Sequence, residues 1–243
     1  MASKYLHAWD VTVHEAAQIQ KRLQPLVQKT NGFRLEELKT VAGIDCSLKD
    51  EGQAAIVVLS YPDLQIVDRV IVSRPITFPY VSGFLSFREI PIIMAAMERL
   101  QVQPDLLMLD GQGYAHQRRF GIAYHLGLLL DRPSIGCAKS VLVGRYAELG
   151  PNPGDEALMS DRGETVAMAL RTKKNSNPMI ISIGHKVDLP TATLIVKSCL
   201  RGYRLPETTR LTDKLSRAST IEPVPLPPST DTNTPLPTQA TLF

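Results

Sequence analysis

The amino-acid sequence predicts an α/β protein with a mixed β-sheet, an antiparallel meander followed by parallel strands, flanked by helices. Two observations predict it. Three β-rich runs, residues 41–47, 54–61 and 65–72, follow one another across short turn-like separators at 49–53 and 62–63, which suits strands that reverse by tight turns. The chain then changes character. Leu106–Leu109 is a continuous apolar run, as a strand buried on both faces requires, and a helical stretch and a short strand, Ser134–Ala138, follow it.

Each element has its own local reason. Residues 11–29 read as a helix because Ala16, Ile19, Leu23 and Leu26 or Val27 recur at three- and four-residue steps, with Pro25 expected to end or kink it. A loop containing proline and glycine, 74–85, leads into a helix over 87–100 whose inner face carries Ile90, Ile93, Met97 and Leu100. A further helix is expected over 117–130. Strands at 165–171 and 179–182 and a helix at 190–200 complete the expected core, and no internal repeat is found.

Composition sets the outer bounds. A chain of 243 residues, 44% hydrophobic and 21% charged, buries one full core as a single globular domain, assigned to residues 1–217. From residue 218 onward proline, threonine and serine dominate, too little apolar surface to offset ordering entropy, so 218–243 are expected to be a disordered C-terminal tail. A net charge of +3 permits a polyanionic partner without requiring one. The three cysteines, Cys46, Cys137 and Cys199, are odd in number and lack metal-binding spacing, which reads as small buried hydrophobes in a reducing compartment. With no apolar signal-peptide core and no stretch near the ~20 apolar residues of a membrane span, the expectation is a soluble cytoplasmic protein.

Two aspartates stand where chemistry is often placed. Asp45 lies in VAGIDCS, on a strand of mostly apolar residues, where an isolated buried carboxylate is costly without water, a partner or a metal. Asp110 ends LLMLD, with Gly111 and Gly113 next, at the strand edge where open α/β sheets hold ligands. Strand-end turn chemistry or helix capping explains either aspartate alone equally well. For Glu89 the local reading is a capping box begun at Ser86, although Pro91 fits that start poorly. His116, Arg118 and Arg119 cluster at the expected helix entry, either as a phosphate seat or as a solvated charge group. Lys139 follows the short strand ending at Ala138 and by itself is only a lysine.

Four segments, VAGIDCS, PYVSGFLSFRE, DGQGYAHQRRFGIA and GYRLPETTRLTD, resemble successive motifs of the endonuclease V family, in the family's order, over about residues 8–214. The resemblance implies an RNase H-like fold and a DNA repair endonuclease acting on deaminated bases, chiefly deoxyinosine. It implies cleavage of the second phosphodiester bond 3′ to the lesion, leaving 3′-hydroxyl and 5′-phosphate ends. It further implies Mg²⁺, with Mn²⁺ as a substitute, held by Asp45, Glu89 and Asp110, with Asp213 as an outer member acting through water. An all-oxygen donor set suits those ions better than zinc.

By the same resemblance Lys139 positions the attacking water, and His116 contacts phosphate or assists on the leaving-group side. Tyr80 is the wedge that replaces lost stacking. Gly83, Leu85, Gly111 and Gly113 surround the extruded base, and Arg88 and Arg118 belong to the DNA-contacting set. Ser82 stands where relatives more often carry proline, a change that frees φ in the wedge loop. His185 reads as a junction histidine that holds backbone, while His7, His14 and His125 receive no role. The expected partner is DNA with deaminated bases, and possibly inosine-containing RNA, bound by a monomer. The competing readings are an RNase H-like nuclease acting mainly on RNA or branched DNA, and a binding protein without catalysis.

Overall fold

In the computed structural model, which describes residues 6–48 and 51–217, the chain begins with a capped helix, α1 (Val13–Leu23). Thr12 Oγ1 accepts from the Glu15 N–H while Glu15 accepts from the Thr12 N–H at 2.7 Å, a reciprocal capping box. The helix stops short of the expected residue 29, because Pro25 sits in a 3₁₀ turn, Gln24–Leu26, that closes it. The meander follows as β1 (Thr40–Leu48), β2 (Gly52–Ser60) and β3 (Ile66–Arg74), all antiparallel neighbours.

Helix α2 (Leu85–Met97) begins two residues earlier than expected and carries Pro91 inside it. Strand β4 (Leu106–Leu109) then pairs parallel with β1, and after α3 (Ile122–Leu130) strand β5 (Ser134–Ala138) pairs parallel with β4. The expected start of α3 at residue 117 is corrected to Ile122. Residues 111–121 instead form a loop pinned by its own backbone, with the Gly121 N–H donating to the Gly113 carbonyl at 2.9 Å.

Next come β6 (Arg145–Tyr146), β7 (Glu156–Asp161), β8 (Glu164–Leu170) and β9 (Met179–Ile183), then α4 (Leu189–Ser198) and α5 (Glu207–Leu215). Strands β6 and β7 and helix α5 were not among the sequence expectations. The β7–β8 hairpin turns on Arg162 (φ 53°) and Gly163 (φ 81°), the left-handed pair that a two-residue hairpin loop demands. The described strands form one sheet ordered β3-β2-β1-β4-β5-β9-β8-β7-β6, so the meander forms one side of the sheet and joins the parallel pair through β1 and β4. The expected tail at 218–243 lies outside the described residues.

Alternating side chains of the central strands split the core into two faces. Ala42, Ile44, Leu107 and Leu109 pack with Ile90, Ile93 and Leu126 of α2 and α3 on one side. Val41, Leu106 and Met108 pack on the other, in the core that also takes in Ile195 and Val196 of α4. Burying each such aliphatic side chain contributes about 1.5–3 kcal/mol. This double coverage holds the ends of β1 and β4 in fixed register, and those ends carry the candidate site.

Candidate active site

Three carboxylates from three distant segments meet at the centre of the sheet. Asp45 is on β1, Asp110 directly follows β4, and Asp213 is on α5, and one oxygen of each lies within 4.8 Å of the others. Parallel pairing of β1 with β4 brings the first two together: Ile44 is in register with Leu109, and the Asp110 N–H donates to the Ile44 carbonyl at 3.0 Å. The third arrives because β1 carries a glycine beneath α5. A Cβ on Gly43 would lie 2.2 Å from the Thr208 carbonyl oxygen and 2.3 Å from Thr212 Oγ1, so only glycine lets the helix approach so closely.

Charge dominates this cluster. Lys139, one residue beyond β5, places its Nζ 2.5 Å from Asp110 Oδ2 and 2.8 Å from Asp213 Oδ1. Partial burial works against the ammonium, but the hydrogen bonds to both aspartates outweigh it and hold Lys139 above its ordinary value. Asp45 is pushed up to about 6, by burial first and then by Asp110 and Asp213, against the lowering effect of Ser216 and Lys139. Glu89 is buried on α2, and its carboxyl is raised well above the usual range by burial and then by the charges of Asp45 and Asp110. It faces the same cluster from the helix side, outside the set of oxygens within 4.8 Å.

This donor set fits a hard divalent cation. All its ligating atoms are oxygens, and a dication relieves the repulsion and desolvation that raise Asp45 and Glu89. The helix-capping reading of Glu89 is corrected here. Helix α2 starts at Leu85 without a side-chain cap, and the Ser86 hydroxyl pairs with His125 Nδ1 at 3.1 Å instead.

A cleft of about 420 Å³ opens beside the acidic cluster and shares Asp110 and Lys139 with it. That volume falls within the range of small-ligand sites. Tyr80 stands at this cleft with 79% of its surface exposed, and Val141 and Leu142 also line it. Tyr80, Gly83, Leu85 and Gly111 all line the cleft. Gly113 does not: its N–H is taken by Ser182 Oγ at 2.8 Å and its carbonyl by Gly121.

Other expected contacts are turned inward. Arg88 donates to the Phe78 carbonyl at 2.6 Å and sits 5.7 Å from the Tyr80 ring centre. Arg118 donates to the Gly83 carbonyl at 2.7 Å and lies over Phe84. His116 is 3% exposed, with Nε2 donating to the Gly83 carbonyl at 3.1 Å and Nδ1 accepting from the Arg118 N–H at 3.2 Å. Burial, and then Arg118, push its pKa down to about 4, so the ring is neutral. With both nitrogens engaged inside the protein, His116 supports a loop more readily than it transfers a proton. His185 holds backbone as read, accepting from the Gln28 N–H at 3.2 Å.

Three site residues were not found by sequence reasoning. Ser216 donates to Asp45, Gln112 lines the cleft and ties it to the Ser140 carbonyl at 2.9 Å, and Gln20 links α1 to the loop that bears Tyr80. Gln20 carried a signal in principle, as a polar residue on the apolar face of an amphipathic helix.

A mixed sheet with a carboxylate cluster at the ends of its central strands, beside a cleft guarded by an exposed aromatic ring, defines a nuclease of the acidic-site class. The Endonuclease V family model matches residues 21–214, and the chain belongs to the endonuclease V family. It is 49% identical over 215 residues to the endonuclease V of Nostoc punctiforme, covering 87% of this chain and 97% of that one. To that of Methanothrix thermoacetophila it is 46% identical over 217 residues, covering 89% and 96%.

Among solved structures, the Streptomyces avermitilis endonuclease V superposes with a TM-score of 0.81 at 38% identity, over 86% of this chain and 93% of that one. The Ciona intestinalis endonuclease V, solved with a 23mer DNA containing an inosine followed by a ribo-adenosine, gives 0.74 at 29% identity, over 85% and 97%. The fold is the RNase H-like mixed sheet expected from the motifs. Among the described residues no helix is long and apolar enough to cross a membrane.

Proposed function

We propose that this protein is a DNA repair endonuclease that extrudes deaminated bases, chiefly hypoxanthine, and hydrolyses the second phosphodiester bond 3′ to the lesion, leaving 3′-hydroxyl and 5′-phosphate ends. One observation carries the reading: the three-aspartate cluster and the Tyr80-guarded cleft share Asp110, and Lys139 of that cleft pairs with the cluster, an arrangement that supports scission beside base recognition. The Ciona relative's inosine-containing DNA complex supports the choice of base.

Asp45, Asp110 and Asp213, with Glu89 behind them, would hold Mg²⁺, or Mn²⁺ in its place. When bound, the cation supplies charge neutralisation at the phosphate, a more acidic water and a stabilised leaving oxygen. Lys139 keeps an ammonium against Asp110 and Asp213, where it orients the attacking water and attracts the scissile phosphate. Tyr80 fills the gap left in the base stack, a few kcal/mol of lost stacking being the cost of extrusion.

The cleft then reads the base with backbone atoms. Leu85 and Ser86 line it at the uncapped start of α2, where the first N–H groups of a helix have no partner within the helix. Such donors match the O6 acceptor of hypoxanthine and oppose the amino group of adenine. With the Gly83 carbonyl already engaged by side chains, Gly83 contributes through its N–H, and Gly111 lines the cleft near Asp110.

The test is a nicking assay with Mg²⁺ on matched inosine- and adenosine-containing strands, in DNA and in RNA. Cutting of inosine DNA at the second 3′ phosphodiester is expected, and equal cutting of lesion and control strands would overturn base recognition. Preference for the RNA strands would move the substrate to inosine-containing RNA. Asp45→Ala and Asp110→Ala are each expected to abolish cutting while the protein stays folded and binds DNA. Mg²⁺-dependent nicking that survives in either variant refutes the metal assignment.

A further inference from the structure

The carbonyl oxygen of Gly83 accepts from three side chains at once. Gln20 Nε2 lies at 3.0 Å, His116 Nε2 at 3.1 Å and Arg118 at 2.7 Å. A carbonyl has two lone pairs, so this acceptor is saturated. Gly83 itself is at φ +82°, in the turn closed by the Phe84 N–H on the Val81 carbonyl at 3.1 Å, three residues after Tyr80. The wedge loop is therefore fastened at one backbone atom.

Gln20 ties that atom to the rest of the fold. It is fully buried on α1, beside Ala16, Ile19 and Leu23, yet it lines the cleft. Its Oε1 accepts from Arg118 Nε, and its Nε2 also reaches the Phe120 carbonyl at 3.3 Å. One side-chain amide thus joins α1, the wedge loop and the 111–121 loop. An apolar residue would pack the same helix face without the cost of burying an amide, so local packing gives no reason for glutamine here. What the amide adds is a fixed Arg118 and a fixed Gly83.

We propose that Gln20 is a positioning residue for base extrusion, holding Gly83 and Arg118 so that the loop bearing Tyr80 is set at the cleft before DNA arrives. The inference rests on the base-extruding reading above. A wedge held in place beforehand does not lose ordering entropy when the duplex opens. An extruded base in a single strand needs the cleft but no wedge, so the network should matter most on duplex DNA.

The experiment compares the full-length wild type with Gln20→Met, which keeps the shape and removes both polar functions, and Gln20→Glu, which keeps the acceptor for Arg118 and removes the donor to Gly83. Single-turnover nicking is measured with Mg²⁺ on an inosine duplex and on the same inosine single strand. Fluorescence of 2-aminopurine beside the inosine reports unstacking, and thermal melting reports folding. Gln20→Met is expected to cut the duplex about tenfold more slowly, and the single strand less than about threefold more slowly, with a matching loss of the fluorescence rise. Gln20→Glu should fall between Gln20→Met and the wild type on the duplex.

Equal losses on both substrates, or unchanged duplex cutting, would overturn the proposal. If Gln20→Met fails to fold, the duplex-to-single-strand ratio of Gln20→Glu decides by the same criterion. A wild type with no inosine preference would instead remove the parent reading, so the two failures are distinguishable.

Discussion

The Ser216 hydroxyl donates a 2.7 Å hydrogen bond to Asp45 Oδ2 across 171 residues of sequence, binding the end of α5 to the candidate metal site. Ser216 is the C-cap of α5 and is buried. Its hydroxyl favours the ionised form of a carboxylate whose pKa burial pushes up. The helix that delivers Asp213 therefore also orients Asp45.

Ser216→Ala is expected to weaken metal binding by about tenfold or more, the scale of one hydrogen bond to a charged group. The apparent Mg²⁺ requirement for nicking should rise, and Mn²⁺ titration by calorimetry should show the same shift without DNA. Unchanged metal affinity would make Ser216 a helix cap and nothing more.

Gly43→Ala forces a methyl group against the Thr208 carbonyl and Thr212 Oγ1. Helix α5 must move off β1, taking Asp213 and Ser216 with it. Overpacking of this kind costs about 1–3 kcal/mol. Urea denaturation should show that loss, and nicking should fall even under conditions where the variant stays folded.

Tyr80→Ala removes a ring that is 79% exposed, so stability should change by less than about 0.5 kcal/mol. Cutting of inosine duplexes should fall by roughly tenfold or more, because base–aromatic stacking contributes about 1–3 kcal/mol. Tyr80→Phe keeps the ring and should retain most activity. A large loss in Tyr80→Phe would mean that the hydroxyl, and not stacking, carries the function.

His116 makes stability depend on pH. Its folded pKa of about 4 lies below the ordinary 6.5, through burial and then the neighbouring Arg118 and Arg119 charges. The unfolded chain therefore binds the extra proton first. The histidine's contribution is intact above pH 6.5 and is lost as pH falls toward 4, by at most about 3 kcal/mol. His7, His125 and His185 are also lowered, chiefly by burial, and push in the same direction. Asp45 and Glu89, both raised, push the other way, so the histidine is read by difference: the gap in denaturation midpoint between the wild type and His116→Gln should narrow from pH 7 to pH 5.

The sequence by itself determined the mixed sheet, the two aspartates on its apolar strands and the family. Those features are written in local patterns: short turns between β-rich runs, a doubly buried apolar strand, and motifs contiguous in the chain. Helix α5 was not read as a helix: its fully buried residues are Thr208, Thr209 and Thr212, and its apolar repeat is only the partly buried pair Leu211 and Leu215. Strand β7 was missed for a similar reason, since only Met159 of its residues is buried. Glu89 passed locally for a helix cap, and only the fold shows it buried within the field of Asp45 and Asp110, on a helix that starts without a side-chain cap.

Tertiary structure alone decided how the parts act together. It placed Asp213 beside Asp45 through a glycine contact, and it joined Arg118 and His116 to the Gly83 carbonyl in the loop that bears Tyr80. It also brought Gln20 to a carbonyl 63 residues away. Hydrogen bonds and ion pairs of this length depend on which surfaces the packed sheet and helices bring together, and local sequence carries no record of that distance.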